Sequence, residues 1–219
     1  KALYPGSGNY IYVTQGRGTN KFWRYDYVND VWNDGAAADA PYYFWVGAQL
    51  TGTGDVLYAI PGIDFANANS QISTRFMNYR ISTNTWSTAV AQLPVDIRAY
   101  DMNNEYEDQM VSGNTLAHVP SLNRVYWRRN YNNNAAYYYD IAGNAWAAID
   151  NCPSGSRAGI AFYYPGSGDY LYFKSGNGET GFYGYHLGSN TWITLAPHPF
   201  RAAGYDGDMF YPGSGDYLY

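Results

Sequence analysis

Three arginines share one spacing, and that spacing suggests chemistry. Pro94, Pro153 and Pro197 are each followed four positions later by arginine, at Arg98, Arg157 and Arg201, and each arginine by alanine. Guanidinium groups repeated at one structural position can converge on a carboxylate or sulfate through charge-assisted, bidentate hydrogen bonds. The competing reading is structural, with each arginine bonding carbonyls of a neighbouring repeat. The fourth such linker, from Pro41, carries Trp45 at the arginine offset.

The other reactive side chains are scattered. His118, His186 and His198 fall in different repeats, whereas a metal needs several converging ligands. Asp206 and Asp208, or Glu105, Glu107 and Asp108, offer hard oxygens for calcium, but neither group has the spacing of an EF-hand loop. No cofactor is expected, and calcium is the one weak candidate. The single cysteine, Cys152, excludes an internal disulfide framework and reads as a small buried or half-buried thiol. Gly166-Ser167-Gly168 recurs too often to be a phosphate cradle and reads as a turn. Trp23, Trp45 and Trp127, with the runs Tyr42-Tyr43-Phe44 and Tyr137-Tyr138-Tyr139, are candidate surface aromatics for stacking on sugars or on another protein. Inter-sheet packing competes for the same rings.

Those residues are positioned by a repeat. YPGSGDYLY at 164–172 returns at 211–219 and, as YPGSGNYIY, at 4–12. Aligned on Trp32, Trp86, Trp146 and Trp192, four segments carry Tyr25, Tyr79, Tyr139 and Tyr185 seven positions earlier. Asp30, Asn84, Asn144 and Asn190 stand two positions earlier. Apolar residues alternate with period two before each tryptophan, as in Trp23/Tyr25/Tyr27, which predicts a strand, a polar turn and a second strand. Upstream strands are predicted at 10–13, 56–59, 124–127, 170–173 and 217–219. Their consecutive apolar residues suit sheets covered on both faces. Tyr12, Tyr58, Tyr126, Tyr172 and Tyr219 are 46, 68, 46 and 47 residues apart, matching the period of about 40–50 residues of four-stranded blades stacked radially. The long interval holds its surplus in a polar, acidic stretch before Tyr126.

Tyr25-Asp26, Tyr139-Asp140, Asn84-Thr85-Trp86, Asn190-Thr191-Trp192 and the Pro-x-x-x-Arg linkers resemble the kelch repeat. The resemblance covers essentially the whole chain, residues 1–219 read as a single domain. It implies a β-propeller, the fold of that family and of the related galactose-oxidase central domain. About four and a half blades are present, read as part of a six- or seven-bladed ring. The paired glycine of the family is replaced here by Gln15-Gly16-Arg17-Gly18, Pro61-Gly62, Arg129-Asn130 and Ser175-Gly176, so the match is kelch-like and divergent. The galactose-oxidase likeness also raises a copper-radical enzyme, which would need Cys152 cross-linked to a tyrosine; no local motif supports it.

Composition narrows the function. Charged residues are 14% and the net charge is −5, which argues against a nucleic-acid partner. Apolar runs fall short of a membrane span. Aromatics reach 19%, including 26 tyrosines, more than a core requires. With scarce lysine, this composition suits a secreted protein. The chain neither begins with methionine nor shows a signal peptide, and it stops inside a repeat, which reads as a processed or partial chain. The expectation is a non-catalytic extracellular or cell-surface module that binds a protein or glycan. The alternatives are a fibre subunit that self-associates through terminal blade edges, and a carbohydrate-active or oxidase-like propeller enzyme.

Overall fold

The computed structural model describes residues 1–33, 35–45, 47–62, 74–97, 114–129, 134–155, 159–176, 178–199, 201, 209, 212, 215, 217 and 218. Among these the protein is all-β, with four four-stranded antiparallel sheets and one 3-10 turn at Pro120–Leu122. The chain divides into two compact units, Lys1–Ile97 and Arg98–Tyr219, each holding two sheets.

In the first unit, blade 1 is β1 (Ala2–Leu3), β2 (Tyr10–Thr14), β3 (Phe22–Asp26) and β4 (Val31–Asn33). Blade 2 is β5 (Gln49–Thr53), β6 (Val56–Ile60), β7 (Met77–Arg80) and β8 (Thr85–Ser87). The second unit has blade 3, made of β9 (Thr115–Val119), β10 (Arg124–Arg128), β11 (Ala136–Asp140) and β12 (Ala145–Ile149). Its blade 4 is β13 (Ala161–Tyr163), β14 (Tyr170–Lys174), β15 (Phe182–His186) and β16 (Thr191–Thr194). Every strand pairs with its neighbours in sequence, giving the up-and-down meander of a propeller blade.

The turn between the third and fourth strands is built the same way four times. Asp30, Asn84, Asn144 and Asn190 adopt left-handed φ of 54°, 53°, 48° and 56°, which Asn and Asp tolerate best among residues with a Cβ. The tyrosine five residues earlier donates its hydroxyl to that side chain: Tyr25 to Asp30 at 2.5 Å, Tyr79 to Asn84 at 2.6 Å, Tyr139 to Asn144 at 2.8 Å, and Tyr185 to Asn190. The tryptophan two residues later lies against the same tyrosine, with ring centroids 5.1, 5.1, 5.4 and 5.0 Å apart and tilts of 44°, 46°, 42° and 51°. Tyr, Asn/Asp and Trp therefore form one clasp that closes the hairpin and sets its register. The register pairs Tyr25 with Trp32, Tyr79 with Trp86, Tyr139 with Trp146 and Tyr185 with Trp192.

A second device caps the same turn. Asp26 accepts from the backbone N–H groups of Val28 and Asn29, and Asp140 from those of Ala142 and Gly143. These bonds hold the Asp26 carboxyl below the usual carboxylate range, the Asn29 side chain contributing most. Blade 2 has Arg80 at this position. There Asp55 reaches across from the preceding turn, accepts from Ser82 at 2.7 Å and pairs with Arg80 at 2.9 Å. Blade 4 uses His186, whose Nδ1 accepts from Ser189 N–H at 3.0 Å, so this histidine caps a turn and is only half-exposed.

Each sheet has two greasy faces, as the doubled apolar strands require. In β6, Leu57 and Ala59 on one face and Tyr58 and Ile60 on the other are all buried. The face of blade 2 carrying Leu57, Met77 and Tyr79 packs on the face of blade 1 carrying Tyr12 and Phe22. Blade 4 packs on blade 3 in the same manner, through Leu171, Phe173 and Tyr185 against Tyr126 and Ala136. We call the first kind of face leading and the second trailing. Gly52 in β5 is required by close approach: a Cβ there would lie 2.5 Å from the Val56 carbonyl oxygen.

The strand predicted at 217–219 lies partly outside the described residues. Tyr217 and Leu218 carry no strand pairing, and Tyr217 is 73% exposed. The Glu105–Asp108 and Asp206–Asp208 segments lie outside the described residues.

The clasp predicts a graded loss of stability in urea unfolding of the whole chain. Tyr79→Phe removes one partly buried hydrogen bond and costs about 1 kcal/mol. Asn84→Ala removes the same bond and forces alanine into the left-handed region, costing roughly 3 kcal/mol. Equal and negligible effects of the two changes would show that the turn does not depend on the clasp.

Candidate functional site

Arg98 and Arg157 lie outside the described residues, and Arg201 is exposed. The arginine set is therefore not brought together among the described residues. Trp23 is half-buried, its indole N–H donating to Gln15 Oε1 at 3.1 Å. Trp45 lies under Gly18, where a Cβ would sit 2.4 Å from its ring; it is a packed linker residue. Trp127, expected at the surface, is instead fully buried. It stacks on Tyr137 at 5.4 Å and donates to Asn114 Oδ1 at 3.2 Å. Its position in β10 is apolar on both faces, so this tryptophan belongs to the core.

The strongest buried polar cluster was not foreseen. Arg128 at the end of β10 is wholly buried. It donates from Nη2 to the Ser154 carbonyl at 2.9 Å, and Ser154 Oγ donates to Glu179 Oε2 at 2.5 Å. The guanidinium carbon lies 5.1 Å from the Phe173 ring centroid, so one cation ties blade 3 to the loop and ring of blade 4. Burial lowers the Arg128 pKa, while Cys152 and Glu179 oppose that shift. Burial raises the Cys152 thiol to about 12, with Arg128 pulling the other way. Arg128, Cys152 and Ser154 are buried and Glu179 stands at the exposed edge, so the cluster acts as a structural pin. The sequence signal was faint, because the matching positions are Thr14, Ile60 and Lys174. Only Lys174 is similar, its Nζ donating to the Gly159 carbonyl at 2.9 Å.

His118 sits in β9 between buried Ala117 and Val119, and burial lowers its pKa to about 4. His198 lies in the outgoing linker of blade 4, its N–H donating to the Thr180 carbonyl. Among the described residues no three His, Cys, Asp or Glu side chains come together as metal ligands.

What the structure does assemble repeatedly is the docking of one blade on the last. Trp86 donates its indole N–H to the Ala38 carbonyl in the linker leaving blade 1, at 2.9 Å. Asn84 accepts from Ala38 N–H at 2.8 Å and donates to the Ala36 carbonyl at 3.0 Å. Trp192 repeats the indole contact on the Asp150 carbonyl of blade 3, also at 2.9 Å. No family model matches the chain, and no curated protein matches it. The geometry alone therefore carries the functional reading.

Blade 1 has the same leading face. Tyr25 and Trp32 occupy the positions of Tyr79 and Trp86, but Trp32 is 57% exposed and its indole N–H has no hydrogen-bond partner among the described residues. Tyr27, Val28 and Val31 are exposed beside it in sequence. Tyr4 meets Tyr27 edge to face at 5.8 Å, both hydroxyls donating to the Gly8 carbonyl at 3.2 Å. Of the large apolar side chains exposed among the described residues, Tyr4, Tyr27, Val28, Val31 and Trp32 all belong to blade 1 or its turns.

Two measurements check these placements. Because the folded His118 value lies below its ordinary 6.5, the unfolded chain takes up the proton first. The stability tied to the neutral imidazole is full above pH 6.5 and falls as the pH drops towards about 4, by roughly 3 kcal/mol in all. His118→Gln should flatten urea stability across that window relative to the wild type; an unchanged slope would contradict the burial. The Cys152 thiol should resist an aromatic disulfide reagent in the native protein and react fully in denaturant, and stoichiometric native labelling would contradict its placement.

Proposed function

We propose that this chain is a non-catalytic binding and assembly module, a kelch-like propeller acting outside the cell or at its surface. One observation carries the reading: Tyr4, Tyr27, Val28, Val31 and Trp32, all exposed, lie on blade 1 or its turns, whereas Trp86 and Trp192, the counterparts of Trp32, are half-buried. Exposed apolar side chains gathered on one blade mark an interaction site more often than singly scattered ones do. The kelch-like assignment is supported by the roles of the repeated residues, since the Tyr-Asp pair helps to close the hairpins of blades 1 and 3 and the Asn-Thr-Trp turn those of blades 2 and 4. An extracellular setting is supported by composition, with three lysines among 13 basic residues, net charge −5 and abundant tyrosine and glycine. The aromatic surface suits a glycan or a protein, because tyrosine and tryptophan stack on sugar rings and anchor protein interfaces equally well.

The test is a binding screen of the folded chain against purified surface polysaccharides and against itself, with a Tyr27→Ser, Trp32→Ser variant alongside. Saturable binding should weaken at least about thirtyfold in the variant, as for loss of an aromatic hot spot, with the melting temperature unchanged and the ligand recovered intact. Binding indifferent to both changes, or chemical conversion of the ligand, would overturn the reading.

A further inference from the structure

The binding-module reading leaves the partner open, and the inference drawn here rests on that reading. The leading face of blade 1 can be compared position by position with two faces whose occupants are visible. In blade 2 the face holds Leu57, Ala59, Met77 and Tyr79, all buried, with Trp86 half-buried. In blade 4 it holds Leu171, Phe173 and Tyr185, all buried, with Tyr183 and Trp192 half-buried. In blade 1 the same positions are Ile11, Val13, Trp23 and Tyr25, all only half-buried, with Trp32 exposed. The residue types are those of an inter-blade face, and what differs is their exposure.

The two occupied faces define what fits. Each receives a trailing face with an aromatic on the second strand, and a linker carbonyl that accepts the indole N–H. On blade 1 the trailing aromatics are Tyr12 and Phe22, stacked at 5.6 Å and 22° and buried under Tyr79 and Trp86. Blade 4 presents the same stack, Tyr172 on Phe182 at 5.8 Å and 14°, yet both rings are only half-buried. Its outgoing linker exposes Ala196 and Pro197, four and five residues beyond Trp192; Asp150, the acceptor in blade 3, stands four beyond Trp146. Asp30 replaces the Asn84 of blade 2 and keeps the acceptor half of that contact, since a carboxylate accepts from a backbone N–H as the amide oxygen does.

We propose that the leading face of blade 1 docks the trailing face of blade 4 of a second copy of this chain, joining copies head to tail. Trp32 then donates to a carbonyl of the second copy's linker near Ala196, and Tyr25 packs on its Tyr172–Phe182 stack. The interface is heterologous, so copies add in series and form a closed ring or an open filament according to the rotation per copy.

The experiment uses the full chain and two variants, Trp32→Asp on the leading face and Phe182→Asp on the trailing face. Mass is measured by light scattering and sedimentation over a wide concentration range. The wild type should grow in mass with concentration. Each variant alone should remain monomeric, its dissociation constant raised at least about thirtyfold. Mixed together, the variants should form a one-to-one dimer and stop there, because each supplies the one face its partner lacks. A wild type that stays monomeric at every concentration overturns the proposal, whether Trp32 fluorescence reports an exposed ring or one covered from within the same chain. Should Phe182→Asp fail to fold, the wild-type series and Trp32→Asp decide the matter by themselves. A monomeric wild type that still binds a polysaccharide through Trp32 removes the second copy and leaves the binding reading standing. No Trp32-dependent binding of any kind removes both.

Discussion

A single three-residue clasp organises this protein. A tyrosine hydroxyl reaches five residues ahead to an asparagine or aspartate held in the left-handed region, and a tryptophan two residues further covers the tyrosine ring. An isolated two-stranded hairpin is marginal in water, because its hydrogen bonds replace others made to solvent. Here the turn carries its own small hydrophobic cluster, and the same residues then serve the next level of structure. In blade 2, Asn84 and Trp86 spend their remaining hydrogen-bonding groups on the backbone leaving blade 1. Local closure and blade stacking are thus one interaction seen from two sides.

That economy explains why the doubled apolar strands are tolerated. A sheet with two greasy faces is a liability unless both are covered. Within each unit the covering layer is another copy of the same blade, whose trailing face offers flat aromatic rings and a backbone acceptor. Where polar groups enter this interior they are pinned: Arg128 finds a carbonyl, an aromatic face and a nearby carboxylate, so one buried cation strengthens a blade contact that alanine at 136 leaves thin.

Much of this was legible in the residues alone. The offsets of Tyr79 and Asn84 from Trp86 revealed the repeat, although the bond between the two was hidden because sequence spacing does not show which way a side chain points. The apolar runs flanked by turn residues predict strands at 10–13, 56–59, 124–127 and 170–173, and each forms one residue longer, at 10–14, 56–60, 124–128 and 170–174. His186 stands where the other copies have Asp26, Arg80 and Asp140, and its capping role is visible only beside the turn bonds of Asp26 and Asp140. Trp127 misled for a physical reason: an isolated aromatic count cannot tell a surface ring from one facing the next sheet. Arg128 carried almost no signal, since a buried cation is defined by its surroundings and not by its neighbours in sequence.

The most direct measurement is the exchange with solvent of individual tryptophan indole protons, followed by NMR in dilute protein. The clasp-and-dock arrangement predicts slow exchange for Trp86 and Trp192, each bonded to a linker carbonyl, and for buried Trp127, with rapid exchange for Trp32. If Trp86 and Trp192 exchanged as fast as Trp32, the blades would not be joined in this way and the account would fail.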